Sequence, residues 1–559
     1  MSMKALKSNL DFALVTLVIG GFVIVAAQRL GTVPVPEGDE AFTLQVPYEM
    51  LVRGKLALPM LRYLGGNIEN VWHSFTPVCF LLLSAFLKLF GLGVGQGRAF
   101  NLMTAALTLL MVYLIGRKLF DWRAGLVALV MLIGDQTFLE RSRLLRNDYA
   151  AASFALLAYF LYEMAERRKS ARLLAASGLA AGAGVMCHTN ILYMVAAICV
   201  LIMLREGWRA FRSRNLYVFA GSALVVMAYE IVYDAIDYKN FLLQNRGDDL
   251  HFRVLGYSGF WQNLLEEKSR YAKWYTGGLM FPGLSQITLR VFQALTVLAI
   301  IYLVIECARR ISRGDIMSDP KVRVFIVTFV VVLFHAVIVS HKRIYYFAHL
   351  APWFALCVGI LARDGLDWIS RLRRENVPQA RLAHGVAIAL AALAVTGYGL
   401  QLANQYREYL TRVRNPDLAS FEEFTTVIRS IVPEELCPVA VKNPSVWLAF
   451  PETDLCFSTI EGRMKEDLDI DGQDYALVTR PNFSLDRTAK PEGSRVGSPV
   501  GSPVGSEDAR LPDYHLLGEM RETPYGSLLI YYTGRDPRYL ALAPKRYQFF
   551  GDLRGHTLE

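Results

Sequence analysis

The strongest constraint on this chain is the spacing of its apolar residues, which fall into runs of about 15 to 20 separated by short Lys/Arg clusters. Wound as a helix, such a run approaches the thickness of a bilayer's hydrocarbon core, which takes about 17 to 25 residues to cross. Composition agrees: 53% of the residues are hydrophobic and 19% are charged, against about 25% charged in ordinary soluble domains. The 559 residues would otherwise suggest roughly three or four soluble domains. Together these features exclude a soluble cytosolic enzyme, a disordered chain and a secreted disulfide scaffold. They define a polytopic membrane protein.

A net charge of +9, from 59 Lys+Arg against 50 Asp+Glu, does not point to nucleic acid. The basic residues sit in short loops flanking apolar runs, where the positive-inside rule places them. Phe12 to Ala27, preceded by Lys4 and Lys7, has the look of a signal peptide. It lacks a small-residue cleavage site and is followed by many more spans, so it reads as an uncleaved first helix.

Apolar runs place spans at 10–28, 98–116, 123–140, 149–163, 173–188, 190–205, 215–233, 287–306, 322–340, 344–361 and 383–402. With the N-terminus inside, every inner loop is basic: Arg117, Lys118 and Arg123; Arg167, Arg168, Lys169 and Arg172; Arg205, Arg209, Arg212 and Arg214. Arg309, Arg310, Arg313, Lys321 and Arg323 follow, then Arg363, Arg371, Arg373, Arg374 and Arg381. This sidedness holds only if Thr76 to Phe90, short and containing Lys88, does not cross. That run is read as an interfacial or re-entrant helix on the outer side. The expected fold is therefore mainly α: a bundle of about 11 transmembrane helices over residues 1–403 with outer interfacial helices.

Residues 404–559 are a different material, expected as a small α/β domain outside the membrane. Phe421 to Ile431 reads as an amphipathic helix, and Val439–Val441, Tyr475–Val478 and Leu528–Tyr532 read as strands. The repeats Val496-Gly-Ser-Pro, Val500-Gly-Ser-Pro and Val504-Gly-Ser mark a low-complexity loop at about 484–512, too poor in apolar bulk to pack. Cys79, Cys187, Cys199, Cys307 and Cys357 lie in apolar runs and read as small core residues. Cys437 and Cys456 stand alone in the tail, where a disulfide or two free thiols both fit. No Cys/His spacing suggests zinc.

Soluble-enzyme motifs are missing: there is no phosphate-binding Gly-rich loop ending in Lys-Ser/Thr and no HExxH. Gly91-Leu-Gly93-Val-Gly95-Gln96-Gly97 puts Gln96 where the dinucleotide fingerprint needs its third glycine. Polar residues gather instead at the outer ends of spans. Pro36-Glu37-Gly38-Asp39-Glu40 holds three carboxylates within four residues; Asp39 serves as a helix cap, or one acid serves as a general base at the lipid surface. Arg141-Ser-Arg143-Leu-Leu-Arg146-Asn147-Asp148 puts three arginines on a side that should be poor in them, and Arg98 is another such exception. Snorkelling and capping explain part of this; an anionic ligand explains the excess. In His341-Lys342-Arg343-Ile344-Tyr345-Tyr346 the tyrosines suit an aromatic belt, while the two cations suit a phosphate or pyrophosphate. His73, His188 and Asn190 complete the outer polar set, each histidine being either structural or part of a substrate pocket. A ligand anionic at its head and greasy at its tail, a lipid phosphate, fits all of these residues.

With these residues in view, the chain resembles the GT-C membrane glycosyltransferases that use polyprenyl-phosphate sugars, of the protein O-mannosyltransferase and aminoarabinose-transferase kind. The matching residues are Gly38-Asp39-Glu40-Ala41, Trp72-His73-Ser74-Phe75-Thr76-Pro77, Arg98-Ala-Phe-Asn101, Gly116-Arg-Lys-Leu-Phe120, Arg141-Ser-Arg143 with Asp148, His188-Thr189-Asn190, and Lys342-Arg343-Ile-Tyr345 with Pro352. The resemblance covers about residues 10 to 400; the tail is unmatched. Two departures stand out: the family often has His-Pro-Pro at His73-Ser74-Phe75 and Asp-Pro at Asp148-Tyr149.

The resemblance implies transfer of a hexosyl or pentosyl unit from a polyprenyl-phosphate donor to an extracytoplasmic glycolipid, polysaccharide or protein. Asp39 or Glu40 would be the catalytic base and Asp148 a second catalytic acid, with Arg98, Arg143, Lys342, Arg343 and Tyr345 at the donor phosphate. His73, His188 and Asn190 would line the substrate pocket. No metal ligands are assigned, and beyond the lipid-phosphate sugar, which is a substrate, no cofactor is assigned, although a divalent ion is admitted. The expected setting is a bacterial inner (plasma) membrane, multi-pass, with the N-terminus inside and the C-terminal domain outside. A transporter or flippase for a lipid-linked sugar is the alternative. Against it stand the lack of an internal repeat and of ionisable groups at the bilayer midplane; Glu230 and Asp234, near the outer end of a span, suit either reading.

Overall fold

The computed structural model describes residues 3–31, 33–34, 36, 38–64, 66–73, 77–244, 257–276, 286–313, 317–339, 343–372, 378–414 and 421–432. In the tail it describes 439–441, 457–459, 476–479, 515–523, 526–532, 537–548 and 556–558. Glu37, His341, Lys342, the cysteines Cys437 and Cys456 and the loop at 484–512 lie outside the described residues. The chain forms two compact units: one of residues 1–30, 74–238 and 245–414, the other of 31–73, 239–244 and 415–559.

The first unit is a helical bundle. Among the described residues, seven helices are long and apolar enough to cross a membrane: Val94–Leu119, Thr189–Arg212, Arg214–Ile236, Ile287–Ser312, Pro320–Val337, Ile344–Leu372 and Arg381–Val413. Four more apolar helices are shorter, Asp11–Ala26, Pro77–Phe90, Trp122–Ile133 and Ala171–Val185. The run at 123–140 is two helices rather than one. Gly134 closes Trp122–Ile133, and the Asp135 carboxylate accepts the Thr137 N–H at 2.8 Å to start Gln136–Arg141. An N-capping acid inside an apolar run competes successfully with helix continuation.

Sequence sets how closely these helices approach. Helices Val94–Leu119 and Trp122–Ile133 form a hairpin whose turn is capped by Asp121, accepting from Arg123 N at 2.8 Å and Ala124 N at 3.1 Å. A Cβ placed on Gly116 would lie 2.6 Å from Gly125 Cα, so only glycine lets the two backbones meet there. At the centre runs Phe347–Leu372, in which every residue from Phe347 to Ile360 is buried. By contrast Pro378–Val413 turns Leu382, Leu390, Leu393, Val395 and Leu400 outward. An apolar face of that kind in water would be a liability; in lipid it is the ordinary surface.

Among the described residues, the second unit is built on a seven-stranded mixed sheet of order β2-β1-β3-β5-β4-β6-β7. Its strands are β1 Val439–Val441, β2 Phe457–Thr459, β3 Ala476–Thr479, β4 His515–Thr523, β5 Gly526–Tyr532, β6 Lys545–Gln548 and β7 His556–Leu558. β1 pairs parallel to β2 and β3, and β5 pairs antiparallel to β3 and β4. Helix Phe421–Ile431 buries Phe424, Ile428 and Ile431, the i, i+4, i+7 stripe of an amphipathic helix. Helix Gly38–Val52 and the 3-10 turn Pro59–Leu64 belong to this unit as well.

Candidate functional site

The polar cluster of the bundle forms where three helix ends converge. Asp148 opens helix Asp148–Arg168, His188 caps the 3-10 turn Thr189–Ile191 after helix Ala171–Val185, and His349 lies in the first turn of Phe347–Leu372. The His188 Nε2 atom is 3.8 Å and the His349 Nε2 atom 3.3 Å from Asp148 Oδ1. Arg146 takes the other oxygen, its Nε donating to Asp148 Oδ2 at 2.9 Å. Asp148 and His349 are buried, and Asp148 Oδ1 together with both His349 ring nitrogens has no hydrogen-bond partner in good geometry. The two imidazoles meet at 5.4 Å between centroids, enclosed by Tyr193, Tyr346 and His335.

The turn that delivers Asp148 is fixed from several sides. Asn101 donates to the Arg141 and Ser142 carbonyls at 3.4 and 3.0 Å. Cys79 Sγ donates to Asn147 Oδ1 at 3.2 Å, and Tyr149 donates its hydroxyl proton to Phe138 O at 3.2 Å. Above the turn, Tyr345 lies beneath two cations: its ring centre is 3.8 Å from the Arg146 guanidinium carbon and 4.8 Å from that of Arg141. Positive charge over an aromatic face is favourable, the more so when desolvated. The pair therefore holds two guanidinium groups together despite their like charge.

The other residues singled out by sequence fall in different places. Arg98 and Arg143 are fully buried, and their guanidinium groups donate to main-chain carbonyls after the first helix, Arg98 to Leu30 O at 2.9 Å and Arg143 to Gln28 O at 2.8 Å. Arg143 also donates to the Tyr409 hydroxyl. Bracing the bundle is thus a task the structure gives both. Arg343 is exposed, and Asn190 is half-buried with its N–H donated to His188 Nδ1 at 3.2 Å. Asp39, Glu40 and His73 belong to the second unit. Asp39 and Glu40 stand in the first turn of helix Gly38–Val52, Glu40 buried and Asp39 half-buried. His73 is buried, its N–H donated to Gln244 Oε1 at 2.9 Å and its ring edge-on to Phe241. Glu230 is buried with neither carboxylate oxygen in a hydrogen bond.

The sequence does not single out His349, which the structure brings to Asp148, and within the arginine cluster it favours Arg143, whereas the structure sets Arg146 beside Asp148 and Arg141 with Arg146 on Tyr345. A signal existed for His349. It follows Tyr345 by four residues at the head of an apolar run, which in a helix places the two on one face.

Residues 74–233 match the family described as dolichyl-phosphate-mannose-protein mannosyltransferase. No curated protein matches the chain. Among solved structures it is similar to ArnT from Cupriavidus metallidurans bound to undecaprenyl phosphate, at 12% identity and TM-score 0.57, over 94% of this chain and 98% of that one. The apo state of ArnT from the same organism is similar at 14% identity and TM-score 0.52, over 85% and 93% of the two chains. The protein is a multi-pass membrane protein with the GT-C fold. The mannosyltransferase-family segment contains Arg146, Asp148 and His188 and stops short of Tyr345 and His349.

Proposed function

We propose that this chain is a membrane glycosyltransferase that takes a sugar from a polyprenyl-phosphate-linked donor and passes it to an acceptor outside the cytoplasm. The coarse reading is supported by the family match over residues 74–233 and by the GT-C fold. The observation that carries the site is the buried Asp148 beside Arg146, with Arg146 and Arg141 gathered on Tyr345. A carboxylate and two closely held cations at one helix-end cluster suit a sugar phosphate, whose hydroxyls need an acceptor group and whose phosphate needs positive charge.

In the reaction an acceptor hydroxyl or amine loses a proton to a carboxylate, attacks the anomeric carbon, and expels the polyprenyl phosphate. The base is assigned to Asp39, or to Glu40, on the sequence resemblance alone. Arg141 and Arg146 stabilise the leaving phosphate, with Lys342 and Arg343 as further cations from the same resemblance. Fixed cations where charge develops act as preorganised electrostatic catalysts. Asp148 holds Arg146 in place.

The test is to compare lipid extracts by mass spectrometry from cells making wild type, Asp39→Asn or Asp148→Asn at equal protein levels. A polyprenyl-phosphate sugar that builds up in the variants alone supports the assignment, and its mass identifies the sugar. Equal donor levels in all three strains overturn it and favour a transporter.

A further inference from the structure

We propose that Asp148, His188 and His349 form a binding site for one divalent transition-metal ion, zinc by preference. One ligand atom from each residue falls in a group whose members all lie within 4.8 Å of one another. The spacing is informative. Zinc bonds of roughly 2.0 to 2.2 Å to nitrogen and oxygen, arranged tetrahedrally, put ligand atoms about 3.3 to 3.6 Å apart. The distances from Asp148 Oδ1 to the two Nε2 atoms, 3.3 and 3.8 Å, bracket that edge, so small side-chain movements close the set around an ion.

The state of the three side chains points the same way. Asp148 has its Oδ2 engaged by Arg146, which fixes the carboxylate plane and leaves Oδ1 as the oxygen turned to the histidines. An outer partner that orients a ligating group in this way is a regular feature of metal centres. His349 is wholly buried with neither ring nitrogen in a well-formed hydrogen bond, an arrangement that burial normally penalises. A cation between Oδ1 and the two imidazoles would satisfy Asp148 Oδ1 and one nitrogen of His349 together. His188 accepts the Asn190 N–H at Nδ1, so ligation through Nε2 exchanges that one hydrogen bond for a coordination bond and turns the ring to its other tautomer. The carboxylate is a hard donor, but the two imidazoles beside it are borderline ones, and the mixed set suits zinc or iron rather than magnesium or calcium.

Three protein ligands leave a fourth position open. That position suits a phosphate oxygen, and only this last identification rests on the proposed function; the ion site itself does not. Metal binding and donor consumption are separately measured, so the failure of one reading is distinguishable from the failure of the other.

The experiment uses the full chain purified in detergent through a tag without histidines, stripped with EDTA and equilibrated with zinc chloride. Elemental analysis is expected to find one zinc per wild-type chain, and none above background in Asp148→Asn or His349→Gln. His384→Gln, which changes a histidine paired with the Ile369 carbonyl, keeps its zinc. Zinc should raise the thermal midpoint of wild type and leave that of the two site variants unmoved. X-ray absorption on the wild-type complex supplies a readout independent of any variant's folding, with two imidazoles in the first shell expected. No zinc in wild type, zinc retained by both site variants, or fewer than two imidazoles would each overturn the site and leave Asp148 and His349 as a bent hydrogen-bonded pair.

Discussion

At one end of helix Asp148–Arg168 the Glu163 carboxylate meets Arg323 with both oxygens, each 2.8 Å from a guanidinium nitrogen. At the other end, about 22 Å away at 1.5 Å per residue, Asp148 gives one oxygen to Arg146 and leaves the second without a well-formed hydrogen bond. The rest of each end follows suit. Around the basic loops, Asp364 is held by Lys321, Arg363 and Tyr302 at 2.5 to 2.7 Å, and Arg123 bridges Asp121 and Asp367. Around Asp148 stand a histidine with no well-formed hydrogen bond and the unbonded amide nitrogen of Asn190. A buried charge whose every partner is supplied by the protein braces the fold, because removing either partner strands the other. One whose partners are incomplete keeps its capacity for something else.

The contrast is open to breakage at both ends. Asp148→Asn should lower turnover of the lipid-linked donor by at least about 100-fold while leaving the unfolding midpoint unchanged or higher, as measured on purified protein in liposomes and by thermal unfolding. If the variant loses its fold instead, the two ends are not different in kind. Glu163→Gln should do the reverse, costing about 3 to 5 kcal/mol by leaving Arg323 without its charge partner. Denaturant unfolding in detergent measures that cost, and turnover per folded molecule should match wild type.

Two smaller effects sharpen the picture. Tyr345→Leu removes the ring shared by Arg141 and Arg146; at about 0.5 to 2 kcal/mol per cation–π contact, kcat/KM for the donor should fall roughly tenfold. Steady-state kinetics at varied donor concentration check it, and an unchanged kcat/KM would remove these cations from the phosphate site. Ser170→Ala loses the side chain that caps helix Ala171–Val185 by accepting Leu173 N–H at 3.3 Å. Its cost should be about 1 kcal/mol, seen in the unfolding midpoint and invisible in turnover.

Much of the architecture was legible in the chain because lipid enforces a simple rule: a spanning segment must satisfy its own backbone and present apolar side chains. Runs such as 98–116, 215–233 and 287–306 therefore announce helices Val94–Leu119, Arg214–Ile236 and Ile287–Ser312. The amphipathic period of Phe421–Ile431 and the apolar runs of β3 and β5 were visible for the same kind of reason. The division of the run at 123–140 was not, since a single acid, Asp135, decided it through a local capping bond.

The site was harder to read. Sequence alone brought forward Asp148 and His188, polar residues at the ends of apolar runs, and it recognised the arginine cluster before them. It had no means of saying which arginines brace and which remain near the cluster: Arg143 reaches Gln28 and Tyr409, residues 115 and 266 positions away, while Arg146 turns to Asp148. Nor could it join His349 to Asp148 across 201 positions. Burial and side-chain direction at helix ends depend on which helices are neighbours. Membership of the bundle was thus determined by hydropathy along the chain, and the meeting of one carboxylate with two imidazoles by tertiary packing alone.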